Sequence, residues 1–340
     1  MIKKEQNDIL TLGIETSCDE TSVAVVKNGR EVLSNIISSQ IDIHKRFGGV
    51  VPEIASRNHT MAIINVLDQA LTHANVKLDD IDAVAVTYGA GLVGALLVGV
   101  SAAKAISYLL DKPLIAVNHI RAHIAANYLN DSDLAPPFLC AVVSGGHTEL
   151  VDVKDYTHYE ILGSTLDDAA GEAFDKVART LGLGYPGGPE IDKLAKQGKN
   201  NIEFFKTAKI ISDDYNFSYS GLKTAVINYL HNARQREQEI NINDVCASFT
   251  YYALEPIVQK AFDAARELGY ENIALAGGVA ANSYLRQRFD ETGKKYDINV
   301  YVPSLKLCTD NAAMVASMGY YNFINKVNIA DLTLNAAPSL

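Results

Sequence analysis

His119 and His123 stand one helical turn apart in the stretch VNHIRAHIAANY, which follows the apolar run PLIAV. Spacing of i, i+4 puts both imidazoles on one face of a helix, a geometry that can chelate one metal ion. The protease form of this device is H-E-x-x-H, in which the Glu is the general base. Ile120 stands in that place here, so the pair offers ligands without a base, and a zinc protease is disfavoured. Two such histidines can also be plain structural residues. Their position at the carboxyl end of a strand, where open α/β sheets place ligands, favours chemistry. A cation at a helix N-terminus is opposed by the dipole, so anions must offset it: a carboxylate from elsewhere in the chain, or a ligand phosphate. Two histidines and one carboxylate with open positions form a non-haem iron pattern that zinc also accepts.

Three glycine turns come next. In YGAGLVG, Gly89, Gly91 and Gly94 spell G-x-G-x-x-G between a strand and a helix, the dinucleotide pattern. The acidic residue expected on the ribose should end the following strand. Asp111 precedes that strand instead, so a nicotinamide site is disfavoured, and close helix packing or a ligand-facing turn explains the glycines better. The turns VSGGHTE (Ser144, Gly145, Gly146) and AGGVAAN (Gly277, Gly278) let backbone N–H groups approach an anion. Together these turns favour a nucleotide or phosphate ligand, and the absence of a Walker A motif excludes a P-loop.

Carboxylates gather in two places. Glu15, Asp19 and Glu20 sit in a predicted hairpin turn. Asp167, Asp168, Glu172 and Asp175 fall on one predicted helix, where Asp168, Glu172 and Asp175 share a face. Such a run is usually a solvated face, here with Lys176 and Arg179 nearby. Glu190 and Asp192 follow the loop GYPGG.

The elements that must hold these groups alternate. ILTLGIE and SVAVV are strands around the polar turn TSCDET. A helix over residues 54–74, the strand IDAVAVT, a buried helix and the strand PLIAV lead to the histidine helix. The apolar stretch GAGLVGALLVGVSAAKAISYLL carries Lys104 and many small residues; it reads as a buried helix, not a membrane span. The segment DSDLAPPF marks a boundary. After it, FLCAVVSGGHTELVDV repeats the opening device, so residues 9–26 and 138–153 echo one another. The pattern predicts a duplicated two-domain α/β fold with a cleft between the halves. Further on, Ile242–Leu268 reads as one or two helices, and CTDNAAMVASMGYYNFI as a helix N-capped by Thr309 or Asp310. The last dozen residues carry no pattern.

The bulk numbers agree with a globular chain of two domains: 340 residues, 48% hydrophobic and 21% charged. Four scattered cysteines without a C-x-x-C pair suit a reducing cytosol, and the N-terminus shows no secretory signal pattern. The net charge of -10 repels a phosphate backbone overall. Basic groups are local: the stretch HKRFGGVVPEIASRNH, and Lys193, Lys196, Lys199, Lys206 and Lys209.

Taken together, GIETSCDETSVAVV, NHIRAH, VSGGHTEL, DDAAGEAFDKVAR, GYPGGPEID, FSYSGLKTAV, AGGVAANSYLR and CTDNAAMVA resemble the TsaD family, the tRNA N6-adenosine threonylcarbamoyltransferases once described as glycoproteases. The resemblance runs over residues 12–316 in the family's order. It implies an actin/Hsp70/sugar-kinase-like (ASKHA) fold, with one half over residues 1–136, a second over 137–310, and a C-terminal helix and tail over 311–340 that packs back on the first. It implies metal ligands at His119, His123 and Asp310, with Fe2+ favoured over Zn2+ or Mg2+. Ligand contacts are implied from Val142, Val143, Ser144, Gly145, Gly146, Asp175, Gly188, Asp192 and Asn282: the turn facing an adenylate phosphate, Asp175 and Asp192 on ribose or polar atoms, Asn282 on the nucleotide side.

The implied chemistry moves a threonylcarbamoyl group from threonylcarbamoyl-AMP to N6 of the adenosine 3′ of the anticodon, in tRNAs that read codons starting with A. Glu15 and Asp19 are candidate bases. The implied setting is cytoplasmic, with no membrane: an inactive paralogous dimer partner of the TsaB type, a small P-loop ATPase of the TsaE type, and an upstream threonylcarbamoyl-AMP synthase. The family's glycine loop commonly has Pro where Ala90 stands. Val142 and His147 stand where the archaeal and eukaryotic branch carries Tyr and Asn, so the resemblance is to the bacterial type. Rivals are a small-molecule kinase or ATPase on the same fold, which has no use for the histidine pair; a metalloprotease, which lacks its Glu; and a scaffold paralogue, which predicts eroded motifs.

Overall fold

The computed structural model describes residues 8–130, 133–204 and 214–340. Lys206 and Lys209, and Asp131 and Ser132 of the predicted boundary, lie outside the described residues. The chain forms two compact units: Met1–Pro136 with Asp155–His158 and Pro303–Leu340, and Pro137–Lys154 with Tyr159–Val302.

The first unit opens with β1 (Leu10–Glu15), β2 (Glu20–Lys27) and β3 (Glu31–Ser39), then the single turn α1 (Ile41–His44), α2 (Pro52–Ala74), β4 (Ala83–Gly89), α3 (Val93–Leu110), β5 (Leu114–Asn118) and α4 (His119–Asn130). The second unit holds β6 (Phe138–Val143), β7 (Thr148–Val153), β8 (Tyr159–Ser164), α5 (Ala170–Leu181), α6 (Gly187–Ala195), α7 (Ser220–Gln235), α8 (Ile242–Leu268), β9 (Asn272–Ala276), α9 (Ser283–Tyr296) and β10 (Asn299–Tyr301). The chain then returns to the first unit with the turn α10 (Leu305–Cys308), α11 (Ala312–Ile324) and β11 (Ile329–Ala330).

The first sheet has the order β11-β5-β4-β1-β2-β3 and the second β10-β9-β6-β7-β8. Each is built on the same device. An antiparallel hairpin (β1–β2, β6–β7) has a parallel strand beside its first member (β4, β9). The echo between residues 9–26 and 138–153 is therefore the repeated hairpin of two sheets with matching strand order.

Strand β1 is buried along its whole length, as expected for a strand covered on both faces. Its alternate residues serve opposite layers. Leu10, Leu12 and Ile14 join Val23 and Val25 in a core packed with Ile63, Val66 and Val100 of α2 and α3. On the other face, Ala24 and Val26 meet Ala312, Ala313 and Ala316 of α11. Small residues bring α11 close: a Cβ on Gly13 would collide with Ala312 O. Helix α3 is long and apolar enough, by length and composition, to cross a membrane. In this fold it packs on α2 and β4, with Leu96, Val100 and Ala103 buried.

Several sequence expectations are corrected. Helix α5 starts at Ala170, so Asp167 and Asp168 precede it. Asp167 instead accepts the Tyr219 and Ser220 N–H groups at the start of α7, at 2.7 and 3.2 Å. Asp168 pairs with Lys176 and Lys223 at 2.8 and 2.6 Å. The segment Ile242–Leu268, read as one or two helices, is a single helix with Pro256 inside it, as the first alternative had it. The N-cap of α11 is Asn311, not Thr309 or Asp310: its side chain accepts the Met314 N–H at 3.1 Å. The strands β3 and β8 add to the expected set; both edges are half exposed, which blurs their alternation.

Candidate metal centre

Three neighbouring parallel strands of the first unit, β1, β4 and β5, end at one edge of the sheet. They deliver Glu15, Thr87 and Asn118 there. Asn118 closes β5 and caps α4, its Oδ1 accepting the Ile120 and Arg121 N–H groups at 2.9 and 3.2 Å. Capping of this kind satisfies donors that a helix start leaves unpaired. It fixes His119 as the first helical residue and His123 one turn later. Their Nε2 atoms approach to 3.2 Å, with the rings nearly perpendicular at 80°.

Asp310 reaches the pair from the far end of the chain. It lies between α10 and α11, and the start of α11 is tied to the sheet. Ser22 Oγ accepts the Ala312 N–H at 2.9 Å, Asn35 Oδ1 accepts the Ala313 N–H at 3.3 Å, and Asn311 Nδ2 donates to Thr309 O at 2.8 Å. Because Asn311 does the capping, the Asp310 carboxylate is free of the helix. Its Oδ1 lies 3.2 Å from His123 Nε2 and 3.5 Å from His119 Nε2.

A second carboxylate stands behind the pair. Glu15 is fully buried. Its Oε2 faces His119 Nδ1 at 3.2 Å and accepts from Thr87 Oγ1 at 2.6 Å, while Oε1 accepts the Ser17 N–H at 2.5 Å. With both oxygens held, Glu15 is a partner of His119 and not a free base.

The donor set fits a cation. Two ligands about 2.1 Å from one ion, in neighbouring positions, stand about 3–3.4 Å apart, close to the 3.2, 3.2 and 3.5 Å that separate these three groups. Burial opposes charge on His119, but Asp310 and Glu15 outweigh it and hold the imidazolium well above its ordinary range. Burial likewise pushes Asp310 and Glu15 up, and His119 outweighs it, so both carboxyls are held down. His123 Nδ1 is buried without a hydrogen-bond partner. His119, His123 and Asp310 could hold a metal ion.

Comparison with known proteins shows the family to which the chain belongs. The family described as TsaD, tRNA N6-adenosine threonylcarbamoyltransferase, matches residues 31–317. A protein of that name from Clostridioides difficile (strain 630) is 57% identical over 334 residues, 98% of each chain. One from Clostridium beijerinckii is 54% identical over 331 residues, 97% of each chain. The chain belongs to the TsaD family.

Solved structures of low identity share the fold. T. kodakarensis HypF superposes with a TM-score of 0.65 at 15% identity, over 96% of this chain and 49% of its own. Component A of the Acidaminococcus fermentans (R)-2-hydroxyglutaryl-CoA dehydratase gives a TM-score of 0.53 at 14% identity, over 92% and 98%. The fold is the actin/Hsp70/sugar-kinase-like one. As a member of the TsaD family the chain is a transferase, of the bacterial type, that forms the threonylcarbamoyl modification of tRNA adenosine.

The residues that resemblance to TsaD marks for the ligand all lie in the second unit. Val142 and Val143 end β6 with buried side chains, so they offer a ligand only backbone. Ser144 closes the hairpin: its N–H donates to His147 O at 2.8 Å and its Oγ accepts the His147 N–H at 3.1 Å. Gly145 and Gly146 are exposed, and a Cβ on either would meet nothing within 4 Å. The fold itself does not demand glycine there. Gly277, at φ +88, does answer to the fold, since a Cβ there would collide with Val143 O. The two turns therefore share the carboxyl-end edge of β6 and β9.

Two further pairs of TsaD motif residues are brought together. Asp175 on α5 accepts the Gly187 N–H at 2.7 Å, at the start of α6 beside Gly188. Burial raises its carboxyl above the ordinary range. Asp192 on α6 accepts from Ser283 N and Oγ at 3.1 and 2.6 Å, and meets Lys196 at 3.0 Å. Asn282 caps α9 through the Leu285 N–H at 3.1 Å. Sequence reasoning missed Thr87, Ser17 and Asn118. Asn118, polar between an apolar strand and a helix, carried a capping signal; the other two carried none.

Proposed function

We propose that this chain transfers the threonylcarbamoyl group of threonylcarbamoyl-AMP to N6 of the adenosine 3′ of the anticodon, in tRNAs that read codons beginning with A. The adenine amine nitrogen attacks the carbamoyl carbon and loses one proton. The bond from that carbon to the phosphate oxygen breaks, and AMP leaves with the electron pair. The observation that carries this proposal is the convergence of His119 Nε2, His123 Nε2 and Asp310 Oδ1, all within 4.8 Å of one another. A kinase on the same fold has no use for it.

His119, His123 and Asp310 hold the metal, with Fe2+ as the native ion and Zn2+ or Mg2+ as alternatives. When bound, the ion supplies Lewis acidity. Glu15 keeps the His119 Nδ1 proton and thereby directs Nε2 inward. The turn over residues 142–146 faces the adenylate phosphate, and Gly145 and Gly146 leave it room. Asp175, Gly188, Asp192 and Asn282 hold the ribose and nucleotide side, and Asp192 exchanges its Ser283 bonds for ligand when the nucleotide enters. The target adenine is unstacked for its amine to react.

The protein works in the cytoplasm with a TsaB-type paralogue, a TsaE-type P-loop ATPase and a synthase that makes threonylcarbamoyl-AMP. Residues 1–136 and 137–302 are the duplicated halves, and residues 303–340, Asp310 included, return to the first. The test is reconstitution with these partners, unmodified tRNA, threonine, bicarbonate and ATP, followed by nucleoside analysis. Threonylcarbamoyladenosine should form at the position 3′ of the anticodon. Its absence with every component present sinks the proposal.

A further inference from the structure

The end of the chain has no sequence pattern and no part in the chemistry above, yet it is bonded to the turn behind the metal centre. Residues 336–340 run beside the glycine turn after β4. The Ala337 N–H donates to Tyr88 O at 2.7 Å, and the Gly91 N–H donates to Pro338 O at 3.2 Å. The approach is close enough to dictate residue type. A Cβ on Gly89 would collide with Ala337 O and stand 2.6 Å from Leu340 Cδ1; its three nearest atoms all belong to this segment.

From the glycine turn the contacts continue inward. A Cβ on Gly91 would stand 2.6 Å from Ser17 O, and the Leu92 N–H donates to that same oxygen at 2.8 Å. The Ser17 N–H in turn donates to Glu15 Oε1 at 2.5 Å, and Glu15 Oε2 faces His119 Nδ1 at 3.2 Å. Each link lies within the first unit, and the inner ones are buried.

We infer that residues 336–340 are a positioning element of the metal centre: they clamp the glycine turn, which fixes Ser17, which with Glu15 orients the His119 ring. This rests on His119, His123 and Asp310 holding the metal. Partners that orient a ligating histidine commonly change metal affinity about 10–100-fold. A contiguous chain of contacts becomes coupling only when a change at one end is measured at the other.

The experiment titrates Co2+ into the metal-free protein and follows its visible absorption. The full chain, a chain ending at Asn335, Gly89→Ala in both lengths, and His123→Ala are compared, with thermal unfolding of each in the absence of metal. Removing residues 336–340 should weaken Co2+ binding about tenfold and shift the absorption bands. Gly89→Ala should weaken binding in the full chain, where its Cβ pushes the segment off, and add nothing in the short one. Wild-type affinity and bands in the short chain overturn the inference, as does an equal effect of Gly89→Ala in both lengths. If the short chain fails to fold, Gly89→Ala in the full chain decides, and unchanged affinity overturns it. A full chain that binds no better than His123→Ala sinks the metal assignment itself, and the inference with it.

Discussion

Glu15 and His119, 104 residues apart in the chain, meet at 3.2 Å with Glu15 fully buried. A buried carboxylate on Nδ1 fixes the tautomer that leaves Nε2 free for a cation, and it raises the basicity of that nitrogen. Replacing Glu15 by Gln keeps the shape and removes the charge. Metal affinity should fall about 10–100-fold while the protein stays folded, read by Co2+ titration and circular dichroism. Affinity equal to wild type would show that Glu15 serves the fold alone.

The three groups proposed as ligands should be less forgiving. His119→Ala, His123→Ala and Asp310→Ala each remove one of three donors, and each should bind substoichiometric metal after purification. Loss of about 3 kcal/mol of transition-state stabilisation corresponds to a rate about a hundredfold lower, measured as threonylcarbamoyladenosine formed per minute. Full metal retention in all three variants would overturn the assignment. In wild type, a chelator should lower the unfolding temperature, since an ion that binds only the folded chain stabilises it by mass action.

Asn311 carries a separate prediction. As N-cap of α11 it accepts the Met314 N–H, and through Nδ2 it holds the Thr309 carbonyl. Asn311→Ala should cost about 1 kcal/mol of stability, measured by urea unfolding. It should also weaken metal binding, because the backbone that aims Asp310 loses its tie. Asn311→Asp, which preserves the acceptor, should restore most of the stability.

These residues show what the sequence could and could not disclose. The spacing of His119 and His123 is a local fact, so periodicity alone put both rings on one face. Asp310 has no local relation to them; only the family resemblance joined it to the pair. Placing it in the cap mistook which of two adjacent polar residues faces the helix, a matter decided by the extended backbone of Asn311 at φ -156 and ψ 153. Glu15 was visible as a carboxylate in a turn, but its partners Thr87 and Ser17 come together only when β1, β4 and β5 end side by side. The duplicated hairpins were legible because both are buried strands around polar turns. The strand β3 was not, since its residues, all but one exposed or half-exposed, spread apolar and polar types over both faces.

Acid stability offers a last test, in the second unit. Glu255 accepts from Arg288 Nε and Nη2 at 3.0 and 2.8 Å and from Tyr284 OH at 2.8 Å. Burial pushes its carboxyl up, but Arg288 and Tyr284 outweigh it and hold it below the ordinary value of 4.5. The folded chain therefore binds this proton more weakly than the unfolded chain does. The stabilisation is complete above the ordinary carboxyl range and is lost as pH falls through the lower folded value. Wild-type urea midpoints should drop on acidification from about pH 5 to about pH 3. Glu255→Gln should be less stable at neutral pH by about 1–3 kcal/mol and show a flatter slope across that window. Since α8 holds α9 through this pair, and Ser283 at the start of α9 donates to Asp192, the variant should also raise the KM for the proposed donor threonylcarbamoyl-AMP more than it lowers kcat. An unchanged acid slope in Glu255→Gln would place the acid-sensitive group elsewhere.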